Sequence, residues 1–68
     1  MSPRWRGRLE RRDLEGGTWV LVTANGTWTL YGDISLPAGS EVEVEGEEGG
    51  FGIGMAGPSI EVRRIRRV

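Results

Sequence analysis

Two runs of β-forming residues, Trp19-Val20-Leu21-Val22-Thr23 and Thr27-Trp28-Thr29-Leu30-Tyr31, stand on either side of Ala24-Asn25-Gly26. Asn25-Gly26 suits the centre of a type I′ turn, because both central positions need positive φ and Asn and Gly tolerate it. A two-residue loop there predicts a hairpin with Ala24 opposite Thr27, Thr23 opposite Trp28, Val22 opposite Thr29, Leu21 opposite Leu30 and Val20 opposite Tyr31. Side chains alternate across a strand. One face therefore carries Trp19, Leu21, Trp28 and Leu30, and the other carries Val20, Val22, Thr29 and Tyr31. The first face is apolar and is expected to be the core side. The second is mixed, as on a partly solvated sheet. Trp19 and Trp28 are read as core packing, which leaves Tyr31 as the aromatic placed to stack on a ligand. Asn25-Gly26-Thr27 also spells a glycosylation acceptor, but turn chemistry accounts for it.

The rest of the chain is organised around that hairpin. Residues 4–10 alternate, with Trp5, Gly7 and Leu9 on one side and Arg4, Arg6, Arg8 and Glu10 on the other, which predicts a half-buried first strand. Arg11-Arg12 is then expected to open the loop that leads through Gly16-Gly17. After Tyr31, residues 32–39 hold one Pro and two Gly. Any helix there is one turn at most, and Ile34 and Leu36 are expected to plug a barrel end. Glu41-Val42-Glu43-Val44-Glu45 is the strictest alternation in the chain, with the valines inward and the glutamates outward. Glu47 and Glu48 are expected to carry the acidic surface into a turn. Phe51, Ile53 and Met55 alternate with small residues in a Gly-rich segment that glycines would weaken as a strand. In the last run, Ile60 and Val62 keep period two and Ile65 breaks phase. A β-bulge near Arg63-Arg64 would return Ile65 to the inner face, and a frayed terminus would need none.

Five strands plus the Gly-rich segment, closely spaced and without helical periodicity, predict an all-β chain. The expected architecture is one small five- to six-stranded antiparallel barrel over residues 1–68, OB-like, with an SH3-like barrel as the alternative. The segment between the third and fourth strands sits where an OB barrel usually places its helix. At 68 residues the core is small, and the chain has no Cys to staple it. It has no His either, so a zinc site would rest on carboxylates alone. The N-terminal residues show no signal-peptide apolar region and no run is long enough to span a membrane, so a cytoplasmic protein without membrane contact is expected.

Gly7-Arg8-Leu9, Trp19-Val20-Leu21, Leu30-Tyr31-Gly32-Asp33, residues 39–46 and residues 55–62 occur in an order and spacing that resembles a family of small bacterial domains with an OB-like barrel and no assigned function. The resemblance covers most of the chain through glycines and core positions. It implies the fold and carries over no catalytic or binding residue.

Charge separates the function classes. The formal net charge is −1 and all nine basic residues are Arg. Five of them lie in residues 4–12 and four in residues 63–67, while five Glu lie in residues 41–48. OB barrels often bind single strands through a basic groove and stacking aromatics. Arg4, Arg6, Arg8, Arg11 and Arg12 with Trp5 and Tyr31 are the candidates for such a surface. The competing account sets the Glu41, Glu43 and Glu45 row beside the arginines of neighbouring strands, which uses both clusters and explains the small net charge. Under that account Arg11, Arg12, Arg66 and Arg67 are the ones left for a partner.

Other signals are weaker. Residues 52–57 match G-x-G-x-x-G, but Pro58 and a strand follow where a dinucleotide site needs a helix. The lack of His, Cys and Lys removes the usual general bases and nucleophiles, and Asp13 and Asp33 stand alone in turn-like sequence. Glutamates spaced by two along a strand point outward in a row rather than around an ion. No enzyme activity and no cofactor are expected. The sequence favours a non-enzymatic binding or scaffolding module whose partner is another protein or a second copy, with Phe51, Ile53 and Met55 as a candidate apolar contact strip to which Trp5 could add. The alternative is a single-stranded nucleic-acid-binding barrel.

Overall fold

The computed structural model describes residues 3–13, 17–49 and 58–68. Five strands, β1 (Arg4–Arg12), β2 (Thr18–Thr23), β3 (Gly26–Tyr31), β4 (Glu41–Gly49) and β5 (Ser59–Arg67), form a closed barrel in the order β1-β2-β3-β5-β4. Four seams are antiparallel. The fifth departs from the antiparallel expectation: β3 and β5 run parallel, with Leu30 opposite Ile60 and Tyr31 opposite Glu61. A ring of five strands has an odd number of seams, so one of them must be parallel. The order and the parallel β3–β5 closure make the barrel OB-like, with no helix between β3 and β4.

Inward residues of every strand meet in one core of Leu9, Leu21, Leu30, Val42, Val44 and Ile60. Trp5, Trp19, Trp28, Ile34, Leu36, Val62 and Ile65 pack around it. Ile34 and Leu36 come from the loop that closes one barrel end. That loop is tied to β1 at Leu9, whose N–H donates to the Ser40 carbonyl (2.9 Å) and whose carbonyl accepts from Gly39 N–H (2.6 Å).

β1 serves two neighbours. Arg8 lies opposite Glu41 on β4 and opposite Val22 on β2. The strand must bend beside this shared residue, and Gly7 makes the bend possible, because a Cβ there would collide with the Val22 carbonyl. A second corner lies on the β4–β5 seam. Glu45 faces Arg64 but Gly46 faces Val62, so Arg63 is an extra residue on β5. This is the expected bulge. It returns Ile65 to a position opposite Val44, packed against the core.

Three details differ from the sequence expectation. The hairpin pairs Thr23 with Gly26, Val22 with Thr27, Leu21 with Trp28 and Trp19 with Leu30, so Ala24-Asn25 is the turn centre. The Thr23 hydroxyl holds it, accepting from Asn25 N–H and donating to the Gly26 carbonyl, each at 3.0 Å. Each residue's partner changes by two positions, so the two faces keep their membership. Val20, assigned to the mixed outer face, is 4% exposed, flanked by Glu10 and Thr29 across its two seams. Arg11, Arg12, Glu47 and Glu48 lie within strands rather than in turns, because cross-strand pairing continues through them.

Candidate functional site

The outer surface of β1, β4 and β5 is a ladder of opposite charges. Arg6 and Arg66 lie on either side of Glu43, and Arg4 and Arg64 on either side of Glu45. Arg66 binds Glu43 through Nη2 at 2.8 Å and Nε at 3.0 Å. That hydrogen bond is the main reason the Glu43 carboxyl titrates below the usual carboxylate range. Desolvation opposes it as the next largest effect, and the charge of Arg66, then those of Arg4 and Arg6, add smaller lowering contributions. Arg63, the bulge residue, pairs with Glu47 at 3.1 Å. Arg8 turns along its own strand to Glu10 (3.0 Å), which Arg12 also approaches at 3.5 Å. Among the described residues, Arg4, Arg6, Arg64 and Arg67 have no ion pair within 4.0 Å.

The candidate arginines therefore do not form one surface. Arg4, Arg6 and Arg8 share the outward row of β1. Arg11 has the parity of Trp5, Gly7 and Leu9, so it continues the inner row at the barrel mouth. There its guanidinium lies over the Trp19 ring, 5.0 Å from the centroid. Of the four arginines expected to be left for a partner, Arg11 is stacked and Arg12 and Arg66 are ion-paired. Only Arg67 lacks such a contact among the described residues.

Tyr31 is separated from the β1 arginine row by β2, with Thr18 between it and Arg12. It is 57% exposed at the end of β3, opposite Glu61. Two clefts meet at it. One, of about 390 Å³, is lined by Glu47, Glu48, Gly49, Ser59 and Glu61. The other, of about 430 Å³, is lined by Gly32, Asp33, Glu61, Val62 and Arg63. Among the described residues the surroundings of Tyr31 are acidic, and the one cation lining them, Arg63, is held by Glu47.

The outer face of β2 and β3, which OB barrels use for single strands, carries Thr18, Val20, Val22, Thr27, Thr29 and Tyr31. None of these is basic. Phe51, Ile53 and Met55 lie outside the described residues. Trp5 is half-buried against Trp28, with ring centroids 6.4 Å apart and planes tilted by 50°. Trp28 Nε1–H donates to Glu48 at 3.1 Å. Parity is the one sequence signal for this contact, since Glu48 has the inward parity of Val42, Val44 and Gly46.

Among the described residues, no group of three or more carboxylates is placed to hold a metal ion, and no helix is long and apolar enough to cross a membrane. No family model, curated protein or solved structure matches the chain.

Proposed function

We propose that this chain is a non-enzymatic protein-binding module, an OB-like barrel that associates through its outer sheet surface with another protein or with a second copy of itself. One observation carries the reading. The β2–β3 face has no cation, and the arginines of β1 and β5 stand beside the glutamates of β4. A single-strand groove needs basic residues and a stacking aromatic together. Here the exposed aromatic among the described residues, Tyr31, lies among Glu47, Glu48 and Glu61, which repel a phosphate backbone. The absence of His, Cys and Lys from the chain leaves few groups for acid–base or nucleophilic chemistry at neutral pH.

The second reading, single-stranded nucleic-acid binding, draws on Arg4, Arg6 and Arg64, which have no ion pair among the described residues. An NMR amide-shift titration with a short single-stranded oligonucleotide, at low and then moderate salt, separates the two. Protein association predicts no oligonucleotide-induced shifts at either salt. Shifts on Arg4, Arg6, Arg8 and Tyr31 that fade as salt rises would replace it with the nucleic-acid reading.

A further inference from the structure

We infer that the free edge of β5 at Ile65 and Arg67 takes an extended segment of another protein as an added strand, and that this segment alternates carboxylates with aliphatic side chains. This rests on the protein-association reading above and names the partner's chemistry and the strand it joins.

The ring of strands is continuous, but its β3–β5 seam is short. β3 meets only Ser59, Ile60 and Glu61 of β5. The chain turns away at Gly32, whose φ is 135°. A cleft of about 430 Å³ opens at this fork, lined by Gly32 and Asp33 of the departing chain and by Val62 and Arg63 of β5. Beyond the fork β5 is paired on one side, to β4. One bond fixes which backbone groups are left. Val68 N–H donates to the Glu41 carbonyl at 3.1 Å. Backbone groups alternate in direction along an antiparallel strand. Those of Arg66 and Arg64 therefore point to β4, opposite Glu43 and Glu45, and those of Ile65 and Arg67 point away from it. Among the described residues no backbone bond meets these groups. Unpaired N–H and C=O groups along an edge are a template for a further strand.

Charge selects the occupant. The outward side chains beside this edge are Arg64 and Arg66, which face Glu45 and Glu43 on the β4 side. Arg64 and Arg67 have no ion pair among the described residues. β4 shows the kind of strand that β5 accepts, with Glu43 and Glu45 outward and Val42 and Val44 buried. A strand of the same pattern on the free edge sets its carboxylates beside Arg64 and Arg66. Its aliphatic side chains cover Ile65, which is half-buried. Opposite charges across strands are favourable and like charges are not. The same arginines bar a second copy, because two β5 edges laid together set arginine against arginine. Two residues make a short ladder, so the binding is weak and sensitive to salt.

The test is an NMR titration of the isotopically labelled full chain, at low salt, with a blocked peptide of about six residues that alternates Glu and Val. Amide shifts should centre on Ile65 and Arg67, and hydrogen exchange of these two amides should slow severalfold. The same peptide with every amide N-methylated keeps its charge but donates no backbone bond, and it should bind severalfold more weakly. Arg64→Glu should weaken binding by about tenfold or more. Arg67→Pro removes a free N–H without touching the β4 ladder, and it should weaken binding further than Arg67→Gln, which removes the charge alone. Circular dichroism melts check that each variant folds. If R67P does not fold, the N-methylated peptide on the wild-type chain decides the point. Equal binding of the two peptides, or shifts confined to other strands, would overturn the inference. Absence of binding would also overturn it and leave protein association standing through another surface. Shifts at Ile65 and Arg67 that grow with protein concentration alone would replace the partner with a second copy. A single-stranded oligonucleotide that reproduces the peptide's shifts would sink both this inference and the protein-association reading.

Discussion

Arg66 holds Glu43 across the β4–β5 seam by placing two nitrogens on one carboxylate oxygen, Nη2 at 2.8 Å and Nε at 3.0 Å. The glutamate is the central member of a row that runs from Arg6 on β1 to Arg66 on β5. The pair therefore ties β5 to β4 at the middle of a charged row to which three strands contribute.

Glu43 titrates below its ordinary value chiefly because Arg66 donates to its charged form. A carboxyl lowered in the folded state adds stability that is present above its unfolded pKa and lost as pH falls through the lowered folded value. The protein should lose this contribution only on the acid side of the ordinary carboxylate range, with no change near neutrality. In an NMR pH titration of the carboxyl carbons, Glu43 should have a lower midpoint than an ordinary glutamate. Arg66→Gln should raise that midpoint. An unchanged midpoint in the variant would mean that the pairing seen here does not persist in solution.

Gly7 and Gly46 occupy the two corners where the ring of strands changes partners. A Cβ at Gly7 would strike the Val22 carbonyl, and one at Gly46 would strike the Glu61 carbonyl. Both obstacles are backbone, which moves only by disturbing a seam. Gly7→Ala and Gly46→Ala should each cost about 1–3 kcal/mol. For a chain of this size that is a large share of a total of roughly 3–10 kcal/mol. Ala38→Gly, in the exposed loop, should change little. Urea unfolding of the three variants checks the contrast.

The bulge makes a phase prediction. Without Arg63 as an extra residue, Ile65 would share the outward row with Glu61. With it, Ile65 faces Val44 and packs on the core. Ile65→Ala should cost about 1–3 kcal/mol, since the side chain is only partly buried and the larger core losses are not reached. Arg64→Ala, measured in dilute protein, should stay within about 0.5 kcal/mol. Equal costs would mean that the strand is out of the phase described.

Period two was the strongest signal in the sequence. It placed Leu9, Leu21, Leu30, Val42, Val44 and Ile60 inward, and the phase break before Ile65 located the bulge. The Glu41, Glu43 and Glu45 row beside outward arginines followed from the same alternation. Pairing within that ladder was not legible. Arg8 reaches Glu10 rather than Glu41, because a long side chain selects its partner by local geometry that register alone does not fix. Arg11 looked free because composition grouped it with Arg12, yet its parity belongs to Leu9 and directs it to Trp19. The distance between Tyr31 and the β1 arginines depended on strand order, and a five-strand ring fixes the need for one parallel seam but not which strands form it.

The Arg11 contact should be measurable. Arg11→Ala should destabilise the barrel by roughly 0.5–1 kcal/mol, the range for a cation on an exposed aromatic face. It should also change the local environment of Trp19. The indole Nε1–H resonance of Trp19 should shift in the variant, while those of Trp5 and Trp28 stay in place. Stability lost without a Trp19 shift would place the Arg11 contribution elsewhere.

Hairpin register depends on a competition between two turns. Asn25-Gly26 favours itself as the turn centre, yet Ala24-Asn25 takes that place, closed by the Thr23 hydroxyl with one bond accepted and one donated. Sliding to the Asn25-Gly26 centre would move β3 two places along β2. Faces would survive, but β3 would also slide along β5, where Thr29, Leu30 and Tyr31 are matched to Ser59, Ile60 and Glu61. The parallel seam thus helps to hold the hairpin in register. Thr23→Val should lose about 1 kcal/mol from the two turn bonds, while cross-strand NOEs between Leu21 and Trp28 persist. Replacement of those NOEs by contacts between Leu21 and Leu30 would show that the threonine hydroxyl alone, rather than the closed ring of strands, sets the register.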